Sequence, residues 1–250
     1  MRERYYRLER LTFKSKGQKL LGVVWYPTDT EKPPAVLVLH GFPGIEKNYD
    51  LAYALCQRGF ASMIFHYRGC WGSSGKYSFL GCFEDAKRAI EELMSRENIR
   101  EGNLAIVGHS FGGLVAIYLS AHIKRVKATV AMSPLANIKE NVSIRERKII
   151  FRGGLPFVKD LSLRRAMDEF ETIEKTYDPV TYVDKLSPSP LLLVHGNDDE
   201  IVPVKCSVDL YKDALPPKNL LVVRRADHIF SGRRRYVVNR VANWIRSKIL

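Results

Sequence analysis

Little in this 250-residue chain is built to staple or anchor it. Its four cysteines, Cys56, Cys70, Cys82 and Cys206, form no C-x-x-C pair, so the usual redox dithiol and zinc patterns are missing. No apolar run approaches the ~20 residues that cross a bilayer, so no transmembrane segment is expected. The opening Met1-Arg2-Glu3-Arg4-Tyr5-Tyr6-Arg7 carries charge where an export signal needs an apolar stretch. These absences predict a soluble, cytoplasmic protein with reduced thiols, although pairing of Cys70 with Cys82 stays open. Repeats and low-complexity tracts are missing too, which excludes solenoids and propellers. Glutamine is nearly absent, at two residues, a bias that fits avoidance of thermolabile amides. What is present is ordinary globular composition, 46% apolar and 27% charged. A chain of this length can bury a large enough core to fold without metal or disulfide.

The net charge of +13 is unevenly spread. Residues 145–165 carry seven Lys/Arg against Glu146 and Asp160, and residues 224–246 carry seven Arg against Asp227. Neither stretch has zinc-finger spacing, RNP-like aromatics or a long basic helix, so no nucleic-acid partner is expected. The plainer reading is the solvated face of amphipathic helices; the alternative is a lure for anionic substrates.

The pattern along the chain is α/β. Arg7–Lys14 and Lys19–Tyr26 alternate around Ser15-Lys16-Gly17 and predict a hairpin. Short apolar runs, at Ala35–Leu39, Ala61–Phe65, Leu104–Val107, Ala128–Met132, Leu191–Val194 and Leu220–Val223, read as strands covered on both faces. Helical periodicity marks Tyr49–Arg58, Phe83–Arg96, Phe111–His122, Ser207–Ala214 and Arg234–Ile249. This alternation predicts a mostly parallel sheet between two helical layers. The rhythm stops between Ser133 and Pro188. There, Ile138–Phe151 and Leu163–Thr176 look helical, with an apolar turn at Gly153–Val158 between them. A structureless loop of that length does not suit a compact domain. Residues 134–186 are therefore expected to form a mainly helical cap, inserted into a core of residues 1–133 and 187–250.

Between the Leu104 strand and the Phe111 helix stands Gly108-His109-Ser110-Phe111-Gly112, a G-x-S-x-G turn. Such a strand-to-helix turn lifts a serine above the sheet and needs small neighbours. A nucleophilic Ser110 needs a base, and the base needs a carboxylate to orient it. In sheets of this type the chain order is serine, acid, histidine. Of the six histidines only His195 and His228 follow the insertion, and candidate acids come after His195, which leaves His228 as the base. The acid belongs in the loop after Leu191–Val194, where spacing leaves Asp198 and Asp199 in competition. Asp227 is adjacent to His228, and neighbours in an extended segment point apart. Two backbone N–H groups would hold an oxyanion: Phe42, in the glycine-rich loop His40-Gly41-Phe42-Pro43-Gly44, and Phe111. Pro43 has no N–H to give.

With His40–Gly44, Gly108–Gly112 and His195-Gly196-Asn197-Asp198-Asp199-Glu200-Ile201-Val202-Pro203 in this order, the sequence resembles the α/β-hydrolase superfamily. The resemblance is greatest to small carboxylesterases of the cinnamoyl/feruloyl esterase kind. It covers nearly the whole chain, with residues 134–186 matching only in position. It implies Asp199, not Asp198, as the acid, and an acyl-enzyme route for carboxylic esters with no cofactor and no metal. The partner implied is a small-molecule ester. The core is also similar to the catalytic domain of prolyl-oligopeptidase-type peptidases, which makes a peptidase or acylaminoacyl hydrolase the alternative. A non-catalytic binder of an anionic partner is a further one. Serine at 110 departs from the carboxylate nucleophile of dehalogenases and epoxide hydrolases of this fold. The loop Phe65-His66-Tyr67-Arg68-Gly69-Cys70-Trp71-Gly72-Ser73-Ser74-Gly75 resembles the family's D-x-R-G-x-G-x-S turn, with His66 for the usual Asp and Trp71 where small residues are common. Trp71, Ile150, Phe151, Leu155 and Phe157 are the expected substrate-binding residues, alongside their ordinary role in packing.

Overall fold

The computed structural model describes residues 4–250. Part of the charged opening segment, residues 1–3, thus lies outside the described residues. The elements are β1 (Tyr6–Ser15), β2 (Gln18–Pro27), β3 (Ala35–Leu39), α1 (Tyr49–Cys56), β4 (Ala61–His66), α2 (Phe79–Met94), β5 (Leu104–His109) and α3 (Phe111–His122). There follow β6 (Val126–Met132), α4 (Ile138–Asn141), α5 (Ile144–Gly154), α6 (Leu163–Thr176), β7 (Leu191–Gly196), α7 (Lys205–Asp213), β8 (Lys218–Val223) and α8 (Arg234–Ile249). Eight strands form one sheet in the order β1-β2-β4-β3-β5-β6-β7-β8. β1 and β2 form the antiparallel hairpin, and β2 meets β4 antiparallel. From β4 to β8 every pairing is parallel. This is the α/β-hydrolase fold the sequence predicts, with helices on both faces.

Period-two alternation explains the two layers. In β3, Ala35, Leu37 and Leu39 enter the apolar cluster shared with α2, α3, α5 and α6. Val36 and Val38 enter the opposite cluster with α1 and α8. Both sets are buried, which is why the run is continuously apolar. Because the six strands from β3 to β8 run the same way, their carboxyl ends collect the following loops along one sheet edge. The loops after β3, β5, β7 and β8 carry, respectively, His40–Gly44, Ser110, Asp199 and His228.

Two expected helices differ. The one over 138–151 is broken: Val142 takes extended backbone, and Ser143 starts α5 with a capping box shared with Glu146. α2 begins at Phe79 rather than Phe83. Ser78 Oγ accepts from the Gly81 amide, and the Glu169 carboxylate of α6 accepts from the Phe79 amide at 2.6 Å. A partner ninety residues away satisfies that helix end. The apolar turn at Leu155–Phe157 forms one 3-10 turn. All four cysteines are buried and free, so Cys70 and Cys82 do not pair. Most of the basic residues at 145–165 lie on solvated faces, but Arg147 does not; it is buried and ion-paired with Glu174.

The loop after β4 is held by an ion pair. Arg68 places Nη2 2.6 Å from Asp85 Oδ1, and its backbone amide donates to Oδ2 at 2.9 Å. The Asp85 side chain is fully buried, so removing its partner leaves an uncompensated charge. Arg68→Ala, which strands the Asp85 carboxylate, is expected to lose about 3–5 kcal/mol in a urea titration. Glu84→Ala, removing a half-exposed carboxylate from the same arginine, should stay within about 1 kcal/mol of the wild type.

Candidate active site

Ser110 sits between the last residue of β5 and the first of α3, with φ 56° and ψ −123°. That is positive-φ backbone rarely taken by a residue with a side chain, and it is maintained by its surroundings. Its amide donates to the Met132 carbonyl at 2.8 Å, and its own carbonyl accepts from the Gly113 amide at 2.8 Å. A Cβ at Gly108 would overlap the Gly112 carbonyl, and one at Gly112 would lie 2.5 Å from the Leu39 oxygen. Both glycines are thus required for β3, β5 and α3 to approach this closely. Phe111 opens α3, so its N–H has no acceptor within the helix.

Asp199 and His228 meet: Nδ1–H of His228 donates to Asp199 Oδ2 at 2.8 Å. Asp198, the competitor left by spacing, is exposed. Asp227 is occupied elsewhere, accepting from the Ser231 amide at 2.7 Å. Burial raises the Asp199 pKa, but hydrogen bonds from His195 and His228, and that of the Val202 amide, outweigh it and hold the carboxyl well below its ordinary value. With Nδ1 protonated, neutral His228 keeps a lone pair on Nε2. Ser110 and His228 line the same cavity, of about 340 Å³.

The loop after β3 lies against Ser110. A Cβ on Gly41 would come 2.8 Å from Ser110 Cβ, so only glycine lets the two backbones touch. His40 Nδ1–H donates to the Gly41 carbonyl at 2.7 Å. That carbonyl shares its peptide plane with the Phe42 N–H, so the imidazole fixes the direction of the amide. The Phe42 ring packs on Phe79 and Phe151, with centroids 4.9 and 6.0 Å away.

The cavity wall is largely apolar, with Phe79, Phe151, Phe170 and Ile150 prominent. Of the five expected substrate-binding residues, Ile150 and Phe151 line it. Trp71, Leu155 and Phe157 are not among the residues that line it. The left-handed backbone of Trp71 (φ 47°) and the 3-10 turn at 155–157 bring Trp71 and Phe157 to each other instead, ring centroids 6.5 Å apart. Arg147 also borders the cavity, yet its donors are committed to the Val142 and Ile138 carbonyls and to Glu174.

Two histidines set aside or passed over in the sequence belong to the site's framework. His195 is buried, with Nε2 2.9 Å from the Val202 carbonyl and 3.2 Å from Asp199 Oδ2, while Nδ1 accepts from Ser207 at 2.7 Å. Its position four residues before Asp199 was the available signal. His109 Nε2–H donates to the His228 carbonyl at 2.9 Å, a contact across 119 residues that no local pattern reveals. Among the described residues, no cluster of three or more His, Cys, Asp or Glu is arranged to hold a metal ion. Nor is any helix among them long and apolar enough to cross a membrane.

The fold is that of an α/β hydrolase. Residues 34–162 match the family model described as alpha/beta hydrolase fold, and the chain belongs to that family. YfhR of Escherichia coli K12 is 27% identical over 236 residues, covering 90% of this chain and 75% of its own. The human acylamino-acid-releasing enzyme is 28% identical over 225 residues; the match covers 82% of this chain but only 30% of that enzyme. Est1E of Butyrivibrio proteoclasticus, solved with ferulic acid, superposes with a TM-score of 0.77 at 21% identity, covering 96% of this chain and 99% of its own. At that identity the likeness is one of fold.

Two expectations follow. A Cβ at Gly154 would clash with the edge of the Phe42 ring at Cε1, whereas Gly153 faces open space. Gly154→Ala should therefore lose about 1–3 kcal/mol through overpacking, and Gly153→Ala should be neutral or stabilising, both read from urea midpoints. The second concerns acid. Burial lowers His40 to about 4 and His109 to about 3, and burial with neighbouring charge lowers His66 to about 3. Each is neutral when folded, while its unfolded counterpart titrates near ~6.5, so below that pH the unfolded chain binds more protons. Their stabilisation is complete above ~6.5 and is lost as pH falls, by up to about 1.4 kcal/mol per pH unit for each group. Asp199, with its lowered pKa, adds a loss in the same direction at lower pH. The urea midpoint should be level from pH 7 to 8 and fall steeply below pH ~6; a level midpoint down to pH ~4.5 would contradict the buried neutral imidazoles.

Proposed function

We propose that the protein is a serine hydrolase that cleaves carboxylic esters of small molecules through an acyl-enzyme. The observation that carries this reading is the 2.8 Å Asp199–His228 hydrogen bond, with His228 and Ser110 on one cavity. In this reading Nε2 of His228 takes the Ser110 proton as Oγ bonds to the substrate carbonyl carbon. Asp199 holds the tautomer and stabilises the imidazolium. The N–H groups of Phe42 and Phe111 receive the oxyanion, each such donor being typically worth about 3–4 kcal/mol in the transition state. The imidazolium returns its proton to the departing alcohol, and the ester C–O bond breaks. Water, deprotonated by His228, then releases the acid and restores Ser110. Residues 134–186 act as a cap over the core of residues 1–133 and 187–250, with Ile150 and Phe151 offering the acyl group an apolar wall.

A second reading, amide cleavage, is favoured by one observation, the likeness to the acylamino-acid-releasing enzyme. Matched ester and anilide substrates with the same acyl group separate the two. The wild type should be labelled by a fluorophosphonate and should turn over a p-nitrophenyl ester faster than the corresponding anilide. Ser110→Ala should fold normally, take no label and lose at least about a thousandfold in kcat. A folded Ser110→Ala that keeps most of its activity would sink the assignment.

A further inference from the structure

Trp71 lies off the cavity, yet it touches the loop beside Ser110. Its indole Nε1–H donates to the Pro43 carbonyl at 3.1 Å, the next carbonyl but one after the peptide held by His40. Gly44, at φ +88°, sits between the two side chains: a Cβ there would lie 2.6 Å from His40 Cε1 and 2.9 Å from Trp71 Nε1. Residues 41–44 are thus held by imidazole at one end and indole at the other.

The indole is itself held from the inserted segment. Phe157 stacks on it at an interplanar angle of 23°, and Lys47 Nζ lies 4.0 Å from its ring. The backbone around Phe157 is pinned to the same loop as Trp71. Val158 forms an isolated antiparallel bridge with Cys70, the Lys159 amide donates to the Gly69 carbonyl at 2.8 Å, and the Tyr77 amide donates to the Lys159 carbonyl at 2.9 Å. Gly154, a few residues earlier, lets α5 pack directly on the Phe42 ring. The inserted segment therefore grips residues 42–44 twice: through the Phe42 ring, and through Phe157, Trp71 and Pro43.

We infer that Trp71 is a positioning residue, which with Phe157 couples the inserted segment to the orientation of the Phe42 N–H. This rests on the proposed role of that N–H as an oxyanion donor. The inferred consequence is that Trp71 acts on the transition state, where charge develops on the carbonyl oxygen, and leaves ground-state binding alone. Sub-ångström displacement of a donor is enough to slow the chemistry.

The test is Trp71→Phe, which keeps an aromatic ring against Phe157 and removes the N–H. It should lower kcat for a p-nitrophenyl ester about tenfold, with KM within twofold of the wild type and Tm unchanged. Affinity for a boronic acid that forms a tetrahedral adduct should fall by a similar factor, and affinity for the product carboxylate should not. Phe157→Ala, at a 46% exposed position, should shift kcat in the same direction and serves if Trp71→Phe does not fold. The double variant should be no slower than the slower single variant. An unchanged kcat in a folded variant, or a raised KM with kcat preserved, would overturn the inference; the latter would make Trp71 a substrate wall after all. Failure of the wild type to react with fluorophosphonate or ester would instead count against the proposed function.

Discussion

The site depends on how closely β3, β5 and the start of α3 approach one another. At Gly108 and Gly112 these segments meet backbone to backbone, with no room for a Cβ. That approach sets the positive-φ turn at Ser110 and brings Gly41 against the serine side chain. Any larger residue at these positions would separate the elements, and the loop carrying Phe42 would move away with them. Strain at one residue is held in place by close packing and hydrogen bonds at several others.

The second organising feature is the charge on Asp199. A buried carboxylate is costly unless it is hydrogen-bonded. Here the Val202 amide, His195 and His228 all contribute. Around this group buried imidazoles form a framework: His195 braces Asp199, His109 holds the backbone of His228, and His40 holds the peptide that carries the Phe42 N–H. Burial favours the neutral form of His40 and His109, which can donate through one ring nitrogen while the other is free of a proton. The same residues that shape the site make the fold sensitive to acid.

Legibility in the sequence followed the range of the interactions. The bounds of β3, α3, α6 and α8 match those read from periodicity, because each buries a stripe or run specified by its own residues. The start of α2 was missed by four residues because Glu169 of α6 satisfies its end. The break at Val142 was missed because apolar periodicity continues across it, while Ser143 and Glu146 form a new cap. In the sequence Trp71 reads as a substrate contact from its place in the Phe65–Gly75 turn, and Phe157 as an apolar residue of the expected cap. Their rings turned out to face each other, a relation set by two loops that meet only in the folded chain.

By itself the sequence determined the alternation of strands and helices, the G-x-S-x-G turn, and the order in which serine, acid and histidine arrive, since each is written in local spacing. Choosing between Asp198 and Asp199 took either a family resemblance or the fold. Adjacent residues differ little in composition or position, whereas the backbone buries one side chain against His228 and leaves the other in water. Only tertiary structure decided which rings line the cavity, that Arg147 spends its donors internally, and that His109 and Trp71 support the backbone near the serine. Those relations join residues far apart in the chain, and their geometry exists only once the layers have packed.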